Sequence, residues 1–174
     1  MDKLIAGWEG KRFSGEEIVK LCDGKVLIRR VRDLAGARSL KEAMGKHKAM
    51  VILYETKDSS GHWCAVFEAA PGLLEFFDPY GIRPDGELEF IDRRFMEESG
   101  QGPHLSRLIE KSKYPVVEYN STPLQKFSRD MNTCGRWCGL RICFRDIPLK
   151  NFIRLFRRQK FPADWYVTAL TMFV

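Results

Sequence analysis

The sequence predicts an α+β fold, a mixed and mainly antiparallel sheet packed by helices, in a single domain spanning residues 1–174. Three observations lead there. Ala49–Tyr54, His62–Ala69 and Leu73–Phe77 are strand-sized apolar runs separated only by short turn signals, the pattern of an antiparallel meander. Two Ser-x-x-Glu boxes and several segments with helical apolar spacing flank that meander. A chain of 174 residues with 44% hydrophobic residues suits one globular core rather than two domains or a disordered chain.

Taken in order, residues 1–12 carry little signal beyond Trp8, which is expected to pack an N-terminal arm onto the core. Ser14-Gly15-Glu16-Glu17 is a capping box that opens a helix to about Cys22, ended by Gly24. Lys25–Val31 is β-branched enough for a short strand. Ser39-Leu40-Lys41-Glu42 repeats the box and starts a helix that Gly45 stops. The meander follows, its turns at Lys57–Gly61 and Pro71-Gly72. Pro79–Gly102 is turn-rich and acidic, with short helix around Phe90–Met96. A helix over Leu105–Lys111 and a strand over Pro115–Tyr119 come next. Asn132 and Thr133 stand where an N-cap belongs, before an apolar helix that runs through Phe144. Leu149, Phe152, Ile153 and Phe156 share the apolar face of a further helix. Pro162 opens the last one, to about Met172.

No run is long and apolar enough to cross a membrane, and the N-terminus lacks the apolar core of a signal peptide. Five cysteines, an odd number without framework spacing, point to a reducing compartment. Cys64, Cys138 and Cys143 sit among apolar residues and read as core. The net charge of +6 is unevenly spread. Residues 25–48 carry eight Lys/Arg against two acids, and residues 145–160 six against one. Such runs are commonly solvated faces; the sharper expectation is a basic surface that meets nucleic acid or an acidic partner, with Arg154, Arg157 and Arg158 the candidates for contact with double-stranded DNA.

The chemistry centres on Asn132-Thr133-Cys134-Gly135-Arg136-Trp137-Cys138. A thiol at a helix N-terminus faces unpaired N–H groups and the positive end of the dipole, which favour the thiolate. Gly135 would leave room for a substrate. A thiol nucleophile also needs a base, a group that orients the base, and donors for an oxyanion. His62 begins one strand and Asp78 ends its antiparallel neighbour, so a hairpin of this length can bring imidazole and carboxylate together. Gln125 and the Cys134 N–H would supply the donors. His47 and His104 lie in polar context without a strand-end acid and are weaker bases. Taken singly, each residue has a structural explanation: core thiol, packed histidine, turn aspartate, exposed glutamine.

Gly61-His62-Trp63, then Phe77-Asp78-Pro79-Tyr80-Gly81, then Gln125, then Cys134-Gly135 resemble the cysteine peptidases of adenovirus type and ubiquitin-like-protease type, over about residues 50–145. Asn-Thr-Cys-Gly-Arg-Trp-Cys and the closing Asp164-Trp165-Tyr166-Val167 look most like processing proteases of double-stranded DNA viruses and virophages. The resemblance implies Cys134 as nucleophile, His62 as general base and acid, Asp78 as orienter, and Gln125 as oxyanion donor. Trp63 would pack beside the base and shield it. It implies a papain-like fold in permuted chain order, with the nucleophile on a central helix. The eight residues between Gln125 and Cys134 slightly exceed the family's spacing, which a bulged loop would absorb.

The expected function is therefore a cysteine endopeptidase of virion maturation. It would cut capsid and core precursors at Gly-rich sites, as a monomer, in the virion and in the host cytoplasm or nucleus. No metal or small cofactor is expected, although some relatives are activated by a peptide or by DNA. A ubiquitin-like isopeptidase is the alternative within the same chemistry. Outside it stand a non-catalytic DNA-binding or scaffold domain and a zinc protein using His62, Cys64, Cys134 and Cys138.

Overall fold

The computed structural model describes residues 2–174. Helix α1 (Asp2–Glu9) precedes α2 (Gly15–Leu21), strand β1 (Leu27–Arg30), a 3-10 turn (Val31–Gly36) and α3 (Leu40–Met44). The meander is β2 (Ala49–Lys57), β3 (Ser60–Ala70) and β4 (Leu73–Phe77). A 3-10 turn (Gly86–Phe90), α4 (Arg93–Ser99), α5 (His104–Lys111) and β5 (Val116–Tyr119) follow. The chain ends with α6 (Cys134–Cys143), α7 (Leu149–Phe156) and α8 (Ala163–Thr171). None of the described helices is long and apolar enough to cross a membrane.

The five strands form one sheet in chain order, β1 to β5. The middle pairings, β2 with β3 and β3 with β4, are antiparallel; the edge pairings, β1 with β2 and β4 with β5, are parallel. Side-chain alternation then divides the core in two. Val51, Ala65, Phe67 and Phe77 pack with Ile18, Trp137, Phe152 and Val167. Met50, Ile52, Val66 and Phe76 pack with Leu34, Leu40, Leu105 and Leu108. A sheet covered on both sides explains why β2 reads as an unbroken apolar run.

Local chemistry accounts for the boundaries. Ser14 accepts from the Glu17 N–H while the Glu17 carboxylate accepts from the Ser14 N–H, so the first capping box is complete. At the second, Ser39 caps Glu42, but the Glu42 carboxylate turns to Arg38. Helix α6 lies against β3 and is fully enclosed from Cys134 to Ile142. Two of its enclosed residues are arginines, each with partners. Arg141 donates to both oxygens of the buried Glu75 at 2.7 Å and 2.7 Å, tying α6 to β4. Arg136 donates to the Thr171 carbonyl and hydroxyl and stacks on Phe13.

Residues 2–9, the expected N-terminal arm, form a helix, held where the Trp8 carbonyl and ring meet Arg136. Two expectations need correction. Thr133 precedes α6 without capping it, because its hydroxyl donates to Asp164, and Asn132 turns to Arg12 and the Gly10 carbonyl. Cys143 is exposed. It ends α6 beside Cys22, whose thiol pushes it down to about 7.

Candidate active site

The β3–β4 hairpin does what its length suggested. Ala65 pairs with Phe77, so continuing the register sets Asp78 opposite Cys64, with His62 two residues further along the same face. That diagonal places imidazole and carboxylate within reach. His62 Nε2 lies 2.9 Å from Asp78 Oδ1. For that bond to an ionised Asp78, Nε2 carries the proton, which leaves Nδ1 as the nitrogen available to Cys134, whose thiol the imidazole makes more acidic.

The electrostatics follow from the geometry. Burial alone would lower the His62 pKa, but hydrogen bonds to Asp78 and Cys134 win and raise it well above the usual value. Burial alone would raise the Cys134 pKa. The imidazolium, with the backbone N–H groups of Trp63 and Gly135, overcomes that and lowers it. A thiolate–imidazolium pair is thus favoured. Cys134 is only 8% exposed, yet it borders a cleft of about 430 Å³ with Arg12, Phe13, Ile28, Gly61 and Trp63.

Asp78 is held from several directions. The buried Asn120 accepts from its N–H at 3.0 Å and donates to its carbonyl at 2.6 Å. The Tyr80 N–H donates to Oδ1 at 2.7 Å. Gly81 closes the turn at a φ of 75°, and a Cβ there would meet the backbone of residues 121–123 at about 3.0 Å. The same turn carries Gln125: the Pro79 carbonyl accepts from the Leu124 and Gln125 N–H groups. Gln125 is buried, and its Nε2 donates to the Tyr80 hydroxyl and to the Met131 carbonyl, each at 3.1 Å.

Trp63 and Gly135 have other places than expected. Trp63 lines the cleft and donates from Nε1 to the Phe13 carbonyl; the ring stacked on His62, 4.4 Å away, is Tyr80. Gly135 faces no open space. A Cβ would stand 2.8 Å from Phe13 Cβ and 3.3 Å from Trp63 Cδ1, so its absence lets α6 seat against α2 and β3. Arg154, Arg157 and Arg158 are exposed on and just after α7, and none forms an ion pair among the described residues. His47 and His104 lie outside this group: His104 Nε2 contacts the Gly100 carbonyl.

Four residues that sequence reasoning did not assign complete the site: Tyr80, Asn120, Asp164 and Glu87. Asp164, 2% exposed, accepts from Thr133 Oγ1 at 2.5 Å, Trp137 Nε1 at 3.0 Å and the Lys126 N–H at 2.7 Å. It thereby joins the Gln125 loop to the start of α6. Its place within the closing Asp-Trp-Tyr motif was the available signal. Glu87 is buried 3.9 Å from His62 Nε2. For a metal, the described residues offer one three-ligand group, His62, Cys64 and Asp78, with ligand atoms within 4.8 Å. Its fit is poor, because Nε2 is already on Asp78 and burial pushes the Cys64 thiol well up, against the thiolate a metal needs.

No family model matches the chain. The chain is 35% identical over 152 residues to "Uncharacterized protein V9" of Sputnik virophage, a span covering 86% of this chain and 86% of that protein.

Proposed function

We propose that this chain, a viral protein that belongs to the same family as protein V9 of Sputnik virophage, is a cysteine endopeptidase with a permuted papain-like fold. One observation carries the reading: the imidazole bonded to the Asp78 carboxylate also lowers the pKa of the Cys134 thiol, at the edge of a cleft. Buried structural cysteines show the opposite shift, as Cys64 and Cys138 do here.

In the mechanism, Cys134 Sγ attacks the scissile carbonyl carbon and the C=O electrons move onto oxygen. The Cys134 N–H, free of an intrahelical acceptor at the first position of α6, donates to that oxyanion. Gln125 Nε2 supplies the second donor by exchanging its Tyr80 hydroxyl for the oxyanion, while Met131 keeps the amide in place. His62 gives its proton to the leaving amine, and the C–N bond breaks to leave a thioester on Cys134. His62 then takes a proton from water, whose oxygen attacks the thioester; the C–S bond breaks, releasing the acid and restoring the Cys134 thiolate beside the His62 imidazolium. Asp78 keeps the tautomer throughout.

The substrates would be virion structural precursors cut at Gly-rich sites. The cleft supports this: beside Cys134 it is lined by Phe13, Gly15, Gly61 and Trp63, a lining of apolar rings and bare backbone suited to small side chains next to the cut. Lys150, Arg154 and Arg157 border one groove beside β5, a surface suited to DNA within the particle. A peptide electrophile ending in Gly-Gly should label Cys134 and no other cysteine, and His62→Ala should abolish labelling. Uniform labelling of the exposed Cys143 alone would overturn the reading. Labelling only by a full-length ubiquitin-like probe would redirect it to an isopeptidase.

A further inference from the structure

Asp78 uses only one of its oxygens. Oδ1 accepts from His62 and from the Tyr80 N–H. Oδ2 is wholly buried and has no donor, and neither has Glu87 Oε1. Both carboxyl groups crowd one imidazole: His62 Nε2 lies 2.9 Å from Asp78 Oδ1 and 3.9 Å from Glu87 Oε1. Two enclosed carboxyl groups so placed repel each other unless one of them holds a proton. Glu87, 7% exposed on the 3-10 turn Gly86–Phe90, makes no other side-chain hydrogen bond among the described residues.

We propose that Glu87 is a positioning residue of this site: its protonated carboxyl donates to Asp78 Oδ2 and fixes the carboxylate with Oδ1 on His62. The inference rests on the peptidase reading above for its catalytic meaning, though not for its chemistry. The groups that face Glu87 are His62 and Cys64 from β3, and Asp78 and Tyr80 from the turn after β4. Burial pushes Glu87 up to about 7, with Asp78 adding to the shift and His62 opposing it. Near neutrality Glu87 therefore still has a proton to lose.

The sign follows. Once Glu87 ionises, a second buried negative charge stands near His62 and favours the imidazolium. The thiolate–imidazolium pair then persists further into the alkaline range. Gln at this position can still donate to Oδ2 but cannot ionise. Ala does neither.

Two measurements test this. In Cys134→Ala with carboxyl-labelled glutamate, one carbon resonance should titrate with a midpoint near 7, and it should vanish in Cys134→Ala/Glu87→Gln. If every glutamate titrates below about pH 5.5, as ordinary carboxyls do, Glu87 holds no such proton. In the active enzyme, Glu87→Ala should lower kcat about tenfold with KM little changed. Glu87→Gln should recover part of that loss at pH 6 and move the alkaline limb of kcat/KM down by about one unit. A profile identical to wild type would overturn the role. The resonance test needs no turnover, so it separates failure of the carboxyl pair from failure of the peptidase reading.

Discussion

Asp164 offers a sharp perturbation, because one enclosed carboxylate serves three donors from two elements that must meet at the site. Asp164→Ala strands Thr133 Oγ1 and Trp137 Nε1 in a space sealed from water, and the part-buried Lys126 N–H at its edge. An orphaned buried donor costs about 1–3 kcal/mol, so three cost about 3–6 kcal/mol after partial relaxation. Asp164→Asn keeps one oxygen for Thr133 and Trp137 and turns its amide toward the Lys126 N–H, one lost bond at about 1–3 kcal/mol. Lys126 follows Gln125, so the milder variant should also loosen the proposed oxyanion donor. A lost donor of that kind reduces kcat by up to about 10²–10³, and a loosened one should give roughly tenfold. Urea unfolding at constant m-value reads the first effect and peptide hydrolysis the second. An Ala variant within about 0.5 kcal/mol of wild type would refute the reasoning.

Other perturbations have equally definite outcomes. Alkylation of Cys134 should rise with pH through a midpoint below the ordinary 9.0, and His62→Ala should move it back up. On stability the signs are opposite. The His62 contribution is complete below its unfolded value of 6.5 and is lost as pH rises through its raised folded value. That of Cys134 is present above 9.0 and is lost as pH falls through its lowered folded value. Gly61→Ala should unfold the protein more readily than Gly135→Ala: a Cβ at Gly61 falls 1.8 Å from the Tyr54 carbonyl oxygen, against 2.8 Å from a side chain at Gly135. Thermal melts will rank them. Glu75→Gln leaves Arg141 charged and half-paired in the core and should cost about 3–5 kcal/mol in chemical denaturation.

Much of the fold was legible because its signals are local. The apolar runs of β2 to β4, the Ser14 capping box and the α7 stripe each lie within a few residues. The order His62, Asp78, Gln125, Cys134 was legible as a pattern, and the hairpin register makes the meeting of its first pair nearly unavoidable. What was missed depends on distant partners. Thr133 resembles a cap until Asp164, from the last helix, takes its hydroxyl. Cys143 reads as core by its neighbours, but its side chain falls on the outer end of α6. Asn120 and Glu87 look like ordinary loop polar residues until tertiary packing encloses them against Asp78. Gly135 suggests an opening for substrate because the Phe13 contact that requires it comes from the other end of the chain.

The most direct test is incubation of purified virion structural precursors with wild type and with Cys134→Ala, the products read by N-terminal sequencing. Wild type should release fragments that begin beside glycine, and the alanine variant none. Equal fragments from both would remove the thiol from the chemistry and the account with it.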